Sequence, residues 1–249
     1  MKTQKLIAGL FRICAIALLF AIVPTSIWAQ NDESAGPTYI NFRIQTVKQG
    51  RVPEWESIRK ERTEAARRAG RPYYHVYQRV RGPGNGFLIV SPEEGIGEPG
   101  GNIDIQPAID RQDSWFNAIG GTLDSQLVLS LQFYPDLRTI PDGPVHPSAK
   151  FVHLRIRTAA AGRSGDFEKW LRDDLIPGLR RVDVGDVRIA RVVLGGNPRT
   201  WVTASFVDGW PYSNENPVNP RMLAKGDAMV ATRTDYFYEF RDDLSFTAD

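Results

Sequence analysis

Arginine and histidine are the residues of this chain that could do chemistry at defined places. Arg43 and Arg155 stand in matched surroundings 112 residues apart, and Arg79 and Arg191 share the same offset. A guanidinium presents its donors in a planar fork that suits a carboxylate or a phosphate, so repeated arginines on facing strands could clamp an anion. The same arginines could instead pair with internal acids such as Asp235 or Glu239, because a buried charge needs a partner. Histidine is scarce, with three in 249 residues. His75 stands among Tyr73, Tyr74 and Tyr77, a grouping that can wall a pocket around a titratable ring, or equally be a strand histidine bonded within a core. His153 alternates with Arg155 and Arg157, whereas His146, between Val145 and Pro147, reads as a surface residue. The ligand-binding candidates are therefore Arg43, Tyr74, His75, Tyr77, His153, Arg155 and Trp201. No catalytic residue is assigned.

Other chemistry is absent from the pattern. No spacing of His, Cys, Asp and Glu matches a zinc site, and no glycine-rich phosphate loop precedes a helix, so neither a metal nor a cofactor is expected. Ser164-Gly165-Asp166 reads as helix capping. Asp173-Asp174 and Asp242-Asp243 read as solvated element ends, and Arg59–Arg68 as an exposed helix face of mixed charge.

The elements that must position these residues occur twice. Phe151–Arg157 alternates with Val152, Leu154 and Ile156 on one face, as Ile40, Phe42 and Ile44 do in Tyr39–Val47. Each strand is followed by a turn at Gly50 or Gly162 and then by a helix carrying Trp55 and Ile58, or Phe167, Trp170, Leu171 and Leu175, at helical spacing. Tyr39–Ile58 laid on Phe151–Trp170 gives six identities in twenty pairs, where about one is expected by chance. Strands at Tyr73–Val80 and Phe87–Val90 are matched by Val187–Val193 and Trp201–Phe206; later helices at Asp113–Ile119 and Met222–Val230 precede strands at Gln126–Tyr134 and Thr232–Arg241. Both halves thus read β-α-β-β-α-β, and the fold class is α+β: two tandem ferredoxin-like units, residues 39–138 and 149–249, joined by a linker at 139–148. If the apolar faces of the first strands meet the helices, Asn41, Arg43, Gln45, His153, Arg155 and Arg157 point into the space between the two sheets.

The turn-helix segments around Trp55 and Asp166–Leu171, and the strand ends Phe133–Leu137 and Phe240–Ser245, resemble the NIPSNAP branch of the dimeric α/β-barrel superfamily. The resemblance implies that the two units pack sheet to sheet as an intramolecular dimeric α/β barrel. It brings no known catalytic set. Related barrels include haem-dependent oxidases, which would need His75 or His153 as axial ligand, and cofactor-free monooxygenases, for which Asn41, His75 and Tyr77 could stabilise an enolate. The reading is a small-molecule-binding barrel for a partly apolar, anionic ligand. The alternatives are a cofactor-independent monooxygenase-type enzyme and a non-catalytic interaction module with a filled barrel.

The first 29 residues have the layout of a secretory signal peptide: Lys2, Lys5 and Arg12, an apolar run from Ile13 to Val23, Pro24, and a small residue at Ala29. The run is too short for a membrane span of about 20 residues, so no stable membrane insertion is expected after cleavage. The mature protein is expected in the periplasm or outside the cell, with 30–38 as a flexible lead-in. Three of the 31 basic residues and none of the 29 acids lie in the leader, which leaves 28 against 29 and no global bias toward nucleic acid. Cleavage after Ala29 leaves Gln30 as the new terminus, and the intact mass of the exported protein checks it. Recovery of the full chain in membranes would contradict the assignment.

Overall fold

The computed structural model describes residues 38–82, 84–92, 117–140, 149–182, 184–209 and 219–248. The leader, the lead-in before residue 38, the Gly/Pro-rich segment 93–106, His146 with most of the linker, and the loop at 210–218 lie outside the described residues. Elements follow the expected order. The first half holds β1 (Thr38–Val47), α1 (Val52–Arg68), β2 (Tyr73–Arg81), β3 (Asn85–Pro92) and β4 (Leu123–Arg138), the last preceded by helical residues 117–122. The second holds β5 (Phe151–Ala159), α2 (Ser164–Trp170), α3 (Ile176–Arg181), β6 (Asp186–Leu194), β7 (Thr200–Val207), α4 (Pro220–Asp227) and β8 (Val230–Phe240). A two-residue strand β9 (Phe246–Thr247) pairs with β2 near the C-terminus. A π-turn, Leu171–Leu175, joins α2 to α3. Pro177 has no N–H to return to the preceding turn, which accounts for the slipped ladder there.

Within each half the strands lie in the order β4-β1-β3-β2 and β8-β5-β7-β6, the ferredoxin-like arrangement. β4 pairs with β6 and β8 with β2, all antiparallel, so the eight strands close into one barrel with no free edge among them. A single apolar cluster fills the inside: Ile40, Phe42, Ile44, Tyr77, Leu88, Leu129, Leu131, Val152, Leu154, Val192 and Tyr238 are among its members. Two further clusters lie between the outer faces and the helices, one around Trp55 and one around Trp170.

This arrangement inverts one expectation. The alternation in β1 and β5 is as read, but its apolar face turns into the barrel and its polar face turns out. Asn41, Arg43, Gln45, His153, Arg155 and Arg157 all stand on the outer faces. The reason is that each half-sheet has two faces to cover. The interior, lined from eight strands, takes the continuous apolar set, while the helices cover only part of the outside. Register also revises one pairing of the repeat. Gln78 pairs with Phe87 as Arg191 pairs with Trp201, so Arg79 and Arg191 are not equivalent and cannot form paired forks. Arg79 points inward, its guanidinium carbon 4.7 Å from the centre of the Tyr236 ring, whereas Arg191 lies outside over Trp201.

The turn-helix units are near copies. Gly50 and Gly162 both have φ between 70° and 80° (79° and 74°), a left-handed turn that other residues adopt only with strain. Arg51 and Arg163 then occupy the N-cap position with nearly the same backbone angles, and each pairs with an acid three residues on, Glu54 or Asp166. Trp55, Phe167 and Trp170 are buried against their sheets, as the spacing predicts. The strand ends cross-brace the halves: Leu137 packs into the Trp170 cluster of the second half and Leu244 into the Trp55 cluster of the first, both fully buried.

Gly226 of α4 lies flat on Trp170. A Cβ built there would sit 2.3 Å from the indole, and Trp170, 2% exposed, has no room to retreat. Alanine normally gains about 1 kcal/mol over glycine inside a helix, but overpacking costs about 1–3 kcal/mol. Gly226→Ala should therefore destabilise the fold, read as a lower denaturant midpoint; a raised midpoint would mean that α4 does not press on Trp170.

Candidate functional site

Apart from Arg79, the inside of the barrel is apolar except near one end. There Ile40, Phe42, His75, Tyr77, Phe133 and Arg188 are among the residues around a cavity of about 30 Å³. Register explains why polar groups gather at that place. His75 pairs with Val90 of β3 as Arg188 pairs with Ala204 of β7, and Val90 and Ala204 are themselves counterparts opposite Phe42 and Leu154. His75 and Arg188 are thus equivalent positions of the two halves, facing each other's side of the interior. By the same registers Tyr77 corresponds to Ala190, and Phe133 to Phe240. The barrel is asymmetric here: one half gives a histidine and a tyrosine, the other an arginine and an alanine.

Arg188 and His75 are both held by hydrogen bonds. Arg188 donates from Nε and Nη2 to Asp186 Oδ2 at 3.0 and 2.6 Å, and its guanidinium carbon lies 5.4 Å from the Phe206 ring centre. Both partners are buried, so this ion pair is far less screened than a surface pair. His75 Nε2 meets Thr247 Oγ1 at 2.8 Å, which ties β9 to the barrel end, and its ring stands edge-on to Phe240. Burial pushes His75 down to about 4, so the ring is neutral at pH 7. Burial also raises Tyr73 and Tyr77 against a smaller opposite effect of Arg188, which keeps their hydroxyls protonated. Since Arg188 and Asp186 cancel, this end of the barrel carries no net charge at neutral pH.

Of the candidates from the sequence, only His75 and Tyr77 line the cavity. Tyr74 lies outside the barrel, its hydroxyl accepting from Arg59 Nη1 at 2.6 Å beneath α1. Arg43 donates from Nε to Asn41 Oδ1 at 3.0 Å on the outer face of β1. His153 Nε2 and Arg155 Nε donate to Asp235 at 3.0 and 2.6 Å, with Arg233 Nε adding a third bond at 2.6 Å. Burial alone would raise the Asp235 carboxyl, but hydrogen bonds from His153, Arg233 and Arg155 outweigh it and hold the group far below the usual carboxylate range. The pairing of Arg155 with an internal acid thus occurs, on the outer face. Trp201 is buried on that face beside Tyr134. Sequence reasoning missed Asp186 and Arg188. Their signal was an acid and a base two apart on one face of an otherwise apolar strand.

Haem does not fit these residues. His153 is engaged with Asp235 outside the barrel, and the cavity at His75 is about a fifth of an engineered cavity of about 150 Å³ that takes benzene. Among the described residues no cluster of three or more His, Cys, Asp or Glu could hold a metal ion.

The depressed value of His75 fixes a sign for pH dependence. The unfolded ring titrates near 6.5 and the folded one near 4. Stability contributed by the neutral ring is therefore intact above pH 6.5 and is lost as pH falls toward 4, by about 3 kcal/mol in total. His75→Gln should flatten that part of the stability profile, measured as the difference between variant and wild-type denaturant midpoints from pH 7 to pH 4. Parallel profiles would mean that the ring is not held neutral.

No family model matches the sequence, and no curated protein matches it. Solved structures resemble its fold. An anthrone oxidase-like protein superposes with a TM-score of 0.57 at 11% identity, over 86% of this chain and 94% of its own. A provisionally named monooxygenase from Lactobacillus acidophilus gives 0.55 at 12% identity, over 86% of this chain and the whole of its own. Another from Fusobacterium nucleatum gives 0.56 at 8% identity, over 83% and 94%. The closed eight-stranded barrel, the duplicated ferredoxin-like order and these likenesses agree: the chain has the dimeric α/β-barrel fold, with both halves of the barrel in one polypeptide.

Proposed function

We propose that the protein binds a small, mostly apolar molecule with a neutral polar head, of the class of short-chain alcohols, carbonyl compounds and amides, inside the barrel. The observation that carries this reading is the apolar cavity closed at one end by His75, Tyr77 and the Arg188–Asp186 pair. Apolar walls with a few convergent polar groups are the ordinary make-up of a small-molecule site. Charge selects the head group: Asp186 already neutralises Arg188, so a carboxylate would be buried without an unspent counter-charge. Arg43 and Arg155, which suggested an anionic ligand, lie on the outer faces. Size selects the body, because the cavity holds about two waters and no aromatic ring. The oxygenase reading suggested by the names of similar structures needs room for an organic substrate beside dioxygen, and a cavity of this volume favours binding over that chemistry. Export through residues 1–29 and kinship with the NIPSNAP branch belong to the same proposal, resting on the leader pattern and on the repeated turn-helix segments.

Acetamide and acetate are isosteres that differ in charge, and their bodies are a single methyl group. Ligand-observed NMR should detect acetamide on wild type and acetate at least about tenfold more weakly, since burying an unpaired carboxylate costs more than about 1.4 kcal/mol. Ala204 lines the cavity, and Ala204→Leu should abolish the signal while circular dichroism shows the fold retained. Binding that survives in Ala204→Leu, or no binding by any short neutral compound, would remove the barrel site. Tighter binding of acetate would restore the anionic reading.

A further inference from the structure

Beneath the helices of the second half, two buried residues carry donors that meet no acceptor among the described residues. Arg157 is 3% exposed, and its Nε and Nη1 make no hydrogen bond among the described residues. Trp201 is 2% exposed, and its Nε1 makes none either. The two residues are direct register partners on β5 and β7, so their side chains leave the same outer face about 5 Å apart. Trp170 covers Arg157, the ring centre 5.8 Å from the guanidinium carbon, and α4 presses Gly226 onto that indole.

The first half demonstrates what such donors require. Gln45 holds the position of Arg157 there, since Gln45 pairs with Phe87 as Arg157 pairs with Trp201. Gln45 Oε1 accepts from Trp55 Nε1 at 3.0 Å and from Arg59 Nη2 at 2.7 Å. The strand supplies an acceptor and the helix supplies the donors. In the second half the strands supply donors only, and the helix positions matching Trp55 and Arg59 are Phe167 and Leu171, which carry no polar atom. A buried donor left unmet costs about 1–3 kcal/mol, and more when charged.

Charge narrows the identity of the missing acceptor. Arg155, Arg233, Asp227 and Asp235 are the groups whose charges bear on Arg157. With Arg157 itself, three cations face two anions, leaving one positive charge. Burial, reinforced by Arg155, pushes Arg157 down to about 10, which leaves it protonated at neutral pH. Water would meet the donors and leave that charge; a monovalent anion meets both and needs little more room. We propose that Arg157 and Trp201 hold a halide-sized monovalent anion between the outer face of β5 and β7 and the Trp170 layer.

The test is anion-specific stability of the whole mature chain. Thermal unfolding is compared in sodium chloride, sodium bromide and sodium gluconate at about 0.1 M, where screening is the same. Gluconate is too large to enter. Wild type should unfold about 3 °C or more higher in either halide, because a ligand of the folded state raises its midpoint. Arg157→Gln places in the second half the amide that the first half already uses, and should unfold at the same temperature in all three salts. In crystals grown with bromide, wild type should show an anomalous peak within hydrogen-bond distance of the Arg157 guanidinium, a readout that needs no variant to fold. Equal wild-type midpoints in halide and gluconate with no bromide peak, or an undiminished halide shift in Arg157→Gln, would overturn the proposal and leave water as the acceptor.

Discussion

Each four-stranded half-sheet carries an apolar face that it cannot cover by itself, and the need to bury those two faces organises the molecule. α1 covers part of one outer face, and α2 to α4 cover part of the other. The inner faces have only each other. Full burial of a single Leu, Ile or Phe side chain contributes about 1.5–3 kcal/mol. The interior cluster draws seven such residues, with three valines, two alanines and two tyrosines, from both halves, so neither half would keep its stability alone. Closure through β4–β6 and β8–β2 follows from the same constraint, since it satisfies the edge strands that sheet-on-sheet packing would leave open. The crossed placement of Leu137 and Leu244 under the opposite helix layers extends the interlock to the outside.

Duplication provides the frame, and departures from it provide the candidate sites. Where both halves keep the same residue type, as at Gly50 and Gly162 or Arg51 and Arg163, the role is local: a left-handed turn and a helix start. Where equivalent positions differ, space or polarity appears. Ala190 stands where the other half has Tyr77, and His75 stands where the other has Arg188, at the end of the barrel where the cavity lies. Outside, Gln45 and Arg157 differ in the same way, as acceptor against donor, beneath equivalent helices.

Much of the fold was legible because period-two alternation, left-handed glycines and helical stripes are local signals, and each occurred twice. Trp55, Phe167 and Trp170 were read correctly for that reason: a stripe on a helix has only one side it can bury. The direction of β1 and β5 was not legible. A strand with one apolar and one polar face says that one face is covered, without saying whether by helices or by another sheet. Arg43 and Arg155 were therefore assigned to the interior, and they stand outside it. β6 is harder still, because Val187 and Ile189 are buried under helices while Arg188 and Ala190 are buried in the barrel, so apolarity distinguishes neither face. The one-residue change of register between β2 and β6 also escaped the sequence comparison, which aligned Arg79 with Arg191 by letter and missed His75 with Arg188 by place.

The polar groups of the molecule divide by whether their charge is answered nearby. In the barrel, Arg188 is answered by Asp186, and the histidine and tyrosines are kept neutral by the burial that makes the cavity apolar. Around Asp235, three donors converge on one carboxylate and take up most of its acceptor sites. That convergence has a consequence for Arg157, two residues along β5 from Arg155. The nearby acid that could have balanced it is already shared among His153, Arg155 and Arg233, and Asp227 is engaged by Arg233 at 3.4 Å. A buried guanidinium is costly without a counter-charge, and the acids around it are spent. The same network that fixes the outer face of β5 therefore leaves Arg157 as the one place among these clusters where a charge from outside the chain has a physical reason to bind.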